Sequence, residues 1–168
     1  MRFATAIFAR DIVSEVLDPE MPMVTLDDLG IIREVTQHDD AVTVTITPTY
    51  SGCPAMATIR DDITAALARN GFDDVEIRTS LQPAWSTDWI TDAGRRKLVE
   101  AGYSPPGPAP RRTSGPIPLT LTIRPRAVIC PQCRSENTQL VSEFGATLCK
   151  AHYRCTACGE PFDHVKEI

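Results

Sequence analysis

Cys130-Pro-Gln-Cys133 and Cys155-Thr-Ala-Cys158 form two CxxC pairs with 21 residues between them. This spacing lets two thiolates converge on one ion while nearby backbone N–H groups point at the sulfurs. Four thiolates suit tetrahedral zinc in a closed, structural site. The same positions would serve an iron–sulfur cluster or another redox metal. A disulfide scaffold is the third option, disfavoured wherever thiols stay reduced. Cys149, a fifth cysteine in this half, reads as a buried strand residue, a spare thiol or a ligand for something transient. His152 and His164 are not required by a four-cysteine site and read as surface residues.

Cys53 stands alone in the first half, between Gly52 and Pro54 and just ahead of a helical pattern. Unpaired N–H groups and the positive dipole end at a helix N-terminus stabilise thiolate, so the position favours a nucleophile or a soft-metal ligand. Gly52 would admit a close approach, and Tyr50 and Ser51 offer hydroxyls. The plainer reading is a small buried residue at a helix cap. No histidine lies close in sequence to act as a base, since His38 belongs to the preceding turn, so a Cys–His hydrolase is poorly supported. Asp18, Glu20, Asp27 and Asp28 form an acidic group that could do acid–base work or bind a hard cation. A solvated loop with capping aspartates explains them more simply. Neither Gly-rich phosphate-loop pattern occurs.

The elements that must position these groups follow from periodicity. Phe8, Ile12, Val13, Val16 and Leu17 recur at helical spacing, predicting a helix over 5–17 with one apolar face, ended by Asp18-Pro19-Glu20-Met21-Pro22. Ile31 to Thr36 reads as a strand and His38-Asp39-Asp40 as a turn. Val42, Val44 and Ile46 then alternate with Thr43, Thr45 and Thr47, so the two runs form an antiparallel hairpin. Met56, Ile59, Ile63, Ala66 and Leu67 predict a second helix, with proline at its first turn and Asn70-Gly71 as its stop. Val75, Ile77 and Leu81 suggest another strand. A last helix is expected from about 88 to 101, with Trp89, Ala93 and Leu98 on one side. Trp85 and Trp89 either pack that helix on the sheet or anchor a partner.

The expected class is therefore α+β: a small α/β domain over 1–103, a proline-rich linker over 104–125 and a zinc ribbon over 126–168. Residues 104–118 contain six prolines and two glycines, which prevents regular backbone pairing. In the ribbon, strands are expected at 138–144 and 147–154 around a turn at Gly145. Few apolar residues are available there, so a metal must supply much of the folding free energy.

Charge bounds the partners. Residues 1–103 hold 9 Lys+Arg against 17 Asp+Glu, a net of −8, and residues 104–168 hold 8 against 5, a net of +3. Four thiolates and one divalent ion bring the second value near +1, so nucleic acid is an unexpected partner for either half. The opening MRFATAIFARD is broken by Arg10 and Asp11 and does not form a secretory apolar region, and no run approaches a membrane span. A cytoplasmic location is expected.

The stretch Val16-Leu-Asp-Pro-Glu-Met-Pro, followed by Asp28-Leu-Gly-Ile-Ile-Arg-Glu-Val, resembles the opening of iron–sulfur assembly helper domains, bacterial SufT proteins among them. Thr47-Pro-Thr-Tyr-Ser-Gly-Cys-Pro resembles that family's cysteine motif, which maps its reactive cysteine onto Cys53. Trp85-Ser-Thr-Asp-Trp-Ile, Ala93-Gly-Arg-Arg-Lys-Leu, Cys130-Pro-Gln-Cys133, Ser142-Glu-Phe-Gly and Cys149-Lys-Ala-His-Tyr-Arg-Cys155 resemble the D-subunit family of bacterial phenylacetyl-CoA epoxidases. This wider resemblance spans almost the whole chain. It implies an accessory role in phenylacetate degradation, without epoxidation by the chain itself. The implied partners are the di-iron oxygenase and reductase components, with a homodimer also open. It further implies a transient iron or iron–sulfur cargo at Cys53, shared with Cys149 or with Cys53 of a second copy. A structural docking component without metal transfer is the alternative, and an enzyme acting by itself through a thiol is a distant third.

Overall fold

A computed structural model describes residues 8–39, 41–50, 52–109 and 127–168. The first helix, α1, runs Ala9–Ser14; the expected residues 5–7 lie outside the described set. Ala9, Val13 and Val16 turn inward, whereas Phe8 and Leu17 are exposed, contrary to the single apolar face expected. The helix is too short to carry Leu17, which instead forms an isolated bridge with Thr25.

Strands β1 (Ile32–His38) and β2 (Ala41–Ile46) form the expected antiparallel hairpin, paired from Ile32↔Ile46 to His38↔Ala41 with a register shift between Ile32 and Glu34. In β2, Val42, Val44 and Ile46 are buried and the intervening residues half-buried, as period-two alternation requires. Helix α2 (Met56–Ala68) buries Ile59, Ile63, Ala66 and Leu67. Gly71 follows it at φ 90°, a conformation that favours glycine. The chain then enters β3 (Asp74–Thr79), which pairs parallel to β2, giving the sheet order β1-β2-β3. Leu81 lies beyond β3 and is exposed, so it is not part of the strand.

The helix expected over 88–101 is divided. A single 3₁₀ turn, Thr87–Trp89, comes first, and α3 (Asp92–Glu100) follows. Asp28 explains the break. Its carbonyl accepts the Thr91 N–H at 2.9 Å, and its Oδ1 accepts the Thr91 hydroxyl at 3.1 Å. Thr91 Oγ1 in turn accepts the Gly94 N–H at 2.9 Å and so caps α3. The Lys97 ammonium pairs with Asp28 Oδ2 at 2.6 Å. Trp85 donates its indole N–H to the Leu29 carbonyl at 2.9 Å, and the Arg33 guanidinium lies 3.6 Å from the Trp89 ring centroid. Trp85 therefore serves packing, and Trp89 is half-buried against the Arg33 guanidinium. Gly30 has φ +68°, and a Cβ there would lie 2.6 Å from Trp89 Cβ.

The chain divides into two compact units, Met1–Lys97 and Leu98–Ile168. The second contains a three-stranded antiparallel sheet of β4 (Thr138–Ser142), β5 (Lys150–Cys155) and β6 (Pro161–Val165), in that order. β4 stops two residues earlier than expected because Ser142 Oγ accepts the Phe144 N–H and donates to the Phe144 carbonyl. β6 is an addition to the two strands expected. Pro161 reads as a breaker, yet proline is tolerated as the first residue of a strand. Of the expected linker, residues 110–125 lie outside the described set. At its start, Ser104 is buried and bridges His164 in β6, so pairing extends into the proline-rich stretch.

Candidate metal centre and lone thiol

The sulfurs of Cys130, Cys133, Cys155 and Cys158 all lie within 4.8 Å of one another. Cys130 and Cys158 are 3.8 Å apart, and Cys133 and Cys155 are 3.5 Å apart. A tetrahedron with Zn–S bonds of about 2.3 Å has edges of about 3.8 Å. The set therefore has room for one ion at its centre, whereas a multi-iron cluster would hold its cysteines farther apart.

Two knuckles with the same backbone pattern create this geometry. The Cys130 N–H donates to the Ser135 carbonyl at 3.0 Å, and the Cys155 N–H to the Glu160 carbonyl at 2.8 Å. Arg134 N–H returns to Cys130 O, and Gly159 N–H to Cys155 O. Arg134 and Gly159 occupy the same step at φ 62° and 83°. Each second cysteine receives an N–H two residues on, from Ser135 to Cys133 and from Glu160 to Cys158.

The electrostatics of the sulfurs point to a cation. N–H groups of Cys158 and Ala157 draw the Cys155 thiol down to about 7, against the opposing effect of burial. At Cys158 the Glu160 N–H also works downward, but burial and the neighbouring Cys133, Cys155 and Cys130 sulfurs push the thiol up to about 12. Cys133 is raised as well as Cys158, so these two thiols ionise together only with a positive charge among them, and metal binding expels protons. This donor set fits a soft or borderline divalent ion. Cys130 and Cys155 also belong to a small buried cluster with Val128 and Phe162, against which Tyr153 packs.

Cys53 is half-buried in the turn before α2. Its N–H donates to the Tyr50 carbonyl at 3.2 Å, and its own carbonyl accepts the Met56 N–H at 3.4 Å. The helix starts at Met56, two residues beyond Pro54, and its N-cap Ala55 supplies no side-chain acceptor. Among the described residues, a Cβ on Gly52 would meet the Tyr50 ring at 3.8 Å, an ordinary van der Waals contact. Ser51 lies outside the described residues. Thr47, at the head of the same motif, has its hydroxyl buried without a hydrogen-bond partner among the described residues, an arrangement that costs stability.

Cys149 belongs to the second unit and is buried, with Thr147 Oγ1 at 3.1 Å from its sulfur. Two sequence expectations change. His164 is buried, whereas His152 stays partly exposed. Of the acidic group, Asp18 and Asp28 are buried rather than solvated, though both do cap: Asp18 Oδ1 accepts the Glu20 and Met21 N–H groups, and Asp28 Oδ2 accepts that of Thr25. Burial works to raise the Asp28 carboxyl. Hydrogen bonds from Lys97, Thr25 and Thr91, with the Lys97 charge, outweigh it and hold the group below its ordinary value. Nothing in local sequence spacing marks Lys97 as the partner, 69 residues away. No helix among the described residues is long and apolar enough to cross a membrane.

Comparison with known proteins matches residues 9–78 to the family described as iron-sulfur cluster assembly protein, and residues 116–166 to the PaaD zinc beta ribbon domain. The chain is 45% identical over 157 residues to an Escherichia coli (strain K12) protein named as the D-subunit of a 1,2-phenylacetyl-CoA epoxidase, covering 94% of this chain and 90% of the relative. It is 35% identical over 90 residues to an Fe-S protein maturation auxiliary factor of Porphyromonas gingivalis, covering 52% of this chain and 82% of that one. Among solved structures, a domain of unknown function, DUF59, from Bacillus anthracis matches with a TM-score of 0.50 and 26% identity, over 54% of this chain and 87% of that chain.

Proposed function

This chain belongs to the D-subunit family of phenylacetyl-CoA epoxidases, and on that premise we propose that it is a cytoplasmic maturation factor for iron or iron–sulfur centres in the partner components of such an epoxidase. The observation that carries this reading is the iron–sulfur assembly match over 9–78, which encloses Cys53 in the turn before α2. The positive dipole end of a helix favours a thiolate ahead of it, and a thiolate suits iron. One cysteine cannot hold a cluster alone, so the cargo is held transiently, with a second thiolate from Cys149 or from another copy of the chain. Cys149 must become accessible to take part, because it is buried. We also assign zinc to Cys130, Cys133, Cys155 and Cys158, in a structural role. The partition into 1–103, 104–125 and 126–168 is part of the same proposal.

Replacement of Cys53 by serine tests the reading. Epoxidase components purified from cells with the Cys53→Ser chain should be deficient in iron and in activity, with the variant itself folded and holding its zinc. Full metal content and activity in the partners would defeat the transfer role.

A second reading, a docking component without metal transfer, has one specific observation in its favour. Five large hydrophobic residues of the ribbon, Ile129, Leu140, Val141, Phe144 and Leu148, are exposed, and such residues can meet a partner surface. Co-purification with the other epoxidase components that survives Cys53→Ser, with partner metal content unchanged, would favour it.

A further inference from the structure

The four sulfurs of the metal centre are not equivalent. Cys130 and Cys155, the first cysteine of each knuckle, are fully buried and belong to the apolar cluster with Val128 and Phe162. Cys133 and Cys158, the second of each knuckle, are exposed. So are their neighbours Gln132, Arg134, Ala157 and Gly159. Elsewhere in the chain Cys53 is half-buried and Cys149 is buried.

The short sulfur contacts cross between the knuckles, and each joins one exposed sulfur to one buried sulfur. Cys133 is 3.5 Å from Cys155, and Cys158 is 3.8 Å from Cys130. Each sulfur that solvent reaches therefore has a buried partner in the other knuckle, close enough to form a bond after a small movement. Oxidation of cysteine follows thiolate character and exposure. Coordination deprotonates a thiol outright, so in the zinc-loaded chain all four sulfurs have thiolate character and exposure decides between them.

We propose that the metal centre is also a site of oxidative modification by hydrogen peroxide. Cys133 and Cys158 react first, and Cys155 and Cys130 resolve them as two disulfides between the knuckles, with loss of the ion. The inference rests on the zinc assignment made above. The Cys133 sulfur attacks one peroxide oxygen, the O–O bond breaks, and the departing hydroxide takes up a proton, leaving Cys133 as a sulfenic acid. The Cys155 thiolate attacks that sulfur. An S–S bond forms, the S–O bond breaks, and a second hydroxide leaves and is protonated. Two thiolates, one peroxide and two protons give one disulfide and two waters. The sulfur pair loses two electrons and the peroxide gains them. Cys158 and Cys130 consume a second peroxide in the same way. The zinc ligand is a thiolate, so each closure removes two of the four donors.

The test uses the full chain, reduced and loaded with zinc at neutral pH. Zinc is counted first: one per chain is expected, and none would defeat the zinc assignment rather than the oxidation. Hydrogen peroxide is then added beside a chromophoric indicator too weak to strip the reduced chain. Zinc should be released as disulfides form, and a thiol reductant should return it. Tryptic peptides, cut after Arg134 and Arg154, should be joined across the knuckles, Cys133 to Cys155 and Cys130 to Cys158. Iodoacetamide in place of peroxide should label Cys133 and Cys158 about tenfold faster than Cys130 and Cys155. Cys133→His keeps four ligands of types that zinc accepts and leaves one exposed sulfur with its partner. Its product should be the Cys130–Cys158 disulfide, with Cys155 a free thiol. Zinc retained through oxidation would overturn the proposal. So would disulfides closed inside each CxxC pair, equal labelling of the four sulfurs, or oxidation confined to Cys53.

Discussion

In the first unit, Leu26, Leu29, Val42, Val44, Ile46, Ile59, Ile63 and Leu67 are all fully buried. In the ribbon, the buried cluster is Val128, Cys130, Cys155 and Phe162, and two of its four members are cysteines of the metal centre. Meanwhile Leu140, Val141, Phe144 and Leu148 stay exposed. Hydrocarbon burial at about 25 cal/mol per Å² can order the first unit. The ribbon has too little inward-facing apolar surface for that, and its strands are held where four sulfurs converge. The two units therefore depend on different chemistry and should fail under different insults.

Chelation should divide them most sharply. Removing the ion forfeits a binding free energy of about 10–16 kcal/mol in sites of this kind. Excess chelator should thus unfold residues 127–168, read as collapse of their amide chemical-shift dispersion, while α1–α3 and β1–β3 keep theirs. A ribbon that keeps its dispersion without metal would end the contrast. The converse insult is Ile63→Ala in α2, where the side chain is fully buried. It should cost the first unit about 2–5 kcal/mol in denaturant unfolding, with bound zinc per chain unchanged.

A smaller effect tests how the first unit holds α3. Asp28→Asn removes the charge facing Lys97 and weakens the acceptor for Thr25. The expected loss is about 1–3 kcal/mol at pH 7. The Asp28 carboxyl is depressed by folding, so its contribution is present above the ordinary aspartate range and lost as pH falls through the folded value. Stability curves of the variant and the unmodified chain should therefore converge in acid; parallel curves would show that Asp28 acts through shape alone. The smallest effect belongs to the knuckles. Arg134 holds at φ 62° the step that Gly159 holds at 83°. Arg134→Gly should relieve about 1 kcal/mol of strain, tightening zinc about fivefold in competition with a chromophoric chelator.

Much of this is legible in the residues. The alternation at Val42, Val44 and Ile46 specifies both the strand and its buried face, because side chains in a strand repeat every two positions. The CxxC pairs announce a candidate metal centre, because two thiolates so close in sequence can converge on one ion. The elements that depart from their sequence pattern are those decided at a distance. The helix expected from 88 breaks at Ile90-Thr91 because Asp28, far away in sequence, binds Thr91. β6 begins at a proline because Lys150 to Arg154 offer it an edge.

The sequence by itself determined the period of β2 and α2, the four candidate metal donors and the position of Cys53 ahead of a helix, since all three are written in spacings of a few residues. Only the tertiary structure decided that Asp28 and His164 are buried, that Lys97 answers Asp28, and that Ser104 joins the edge of β6. Burial and pairing of polar groups depend on which distant segments the packed chain brings within about 3 Å, and short-range periodicity carries no record of that.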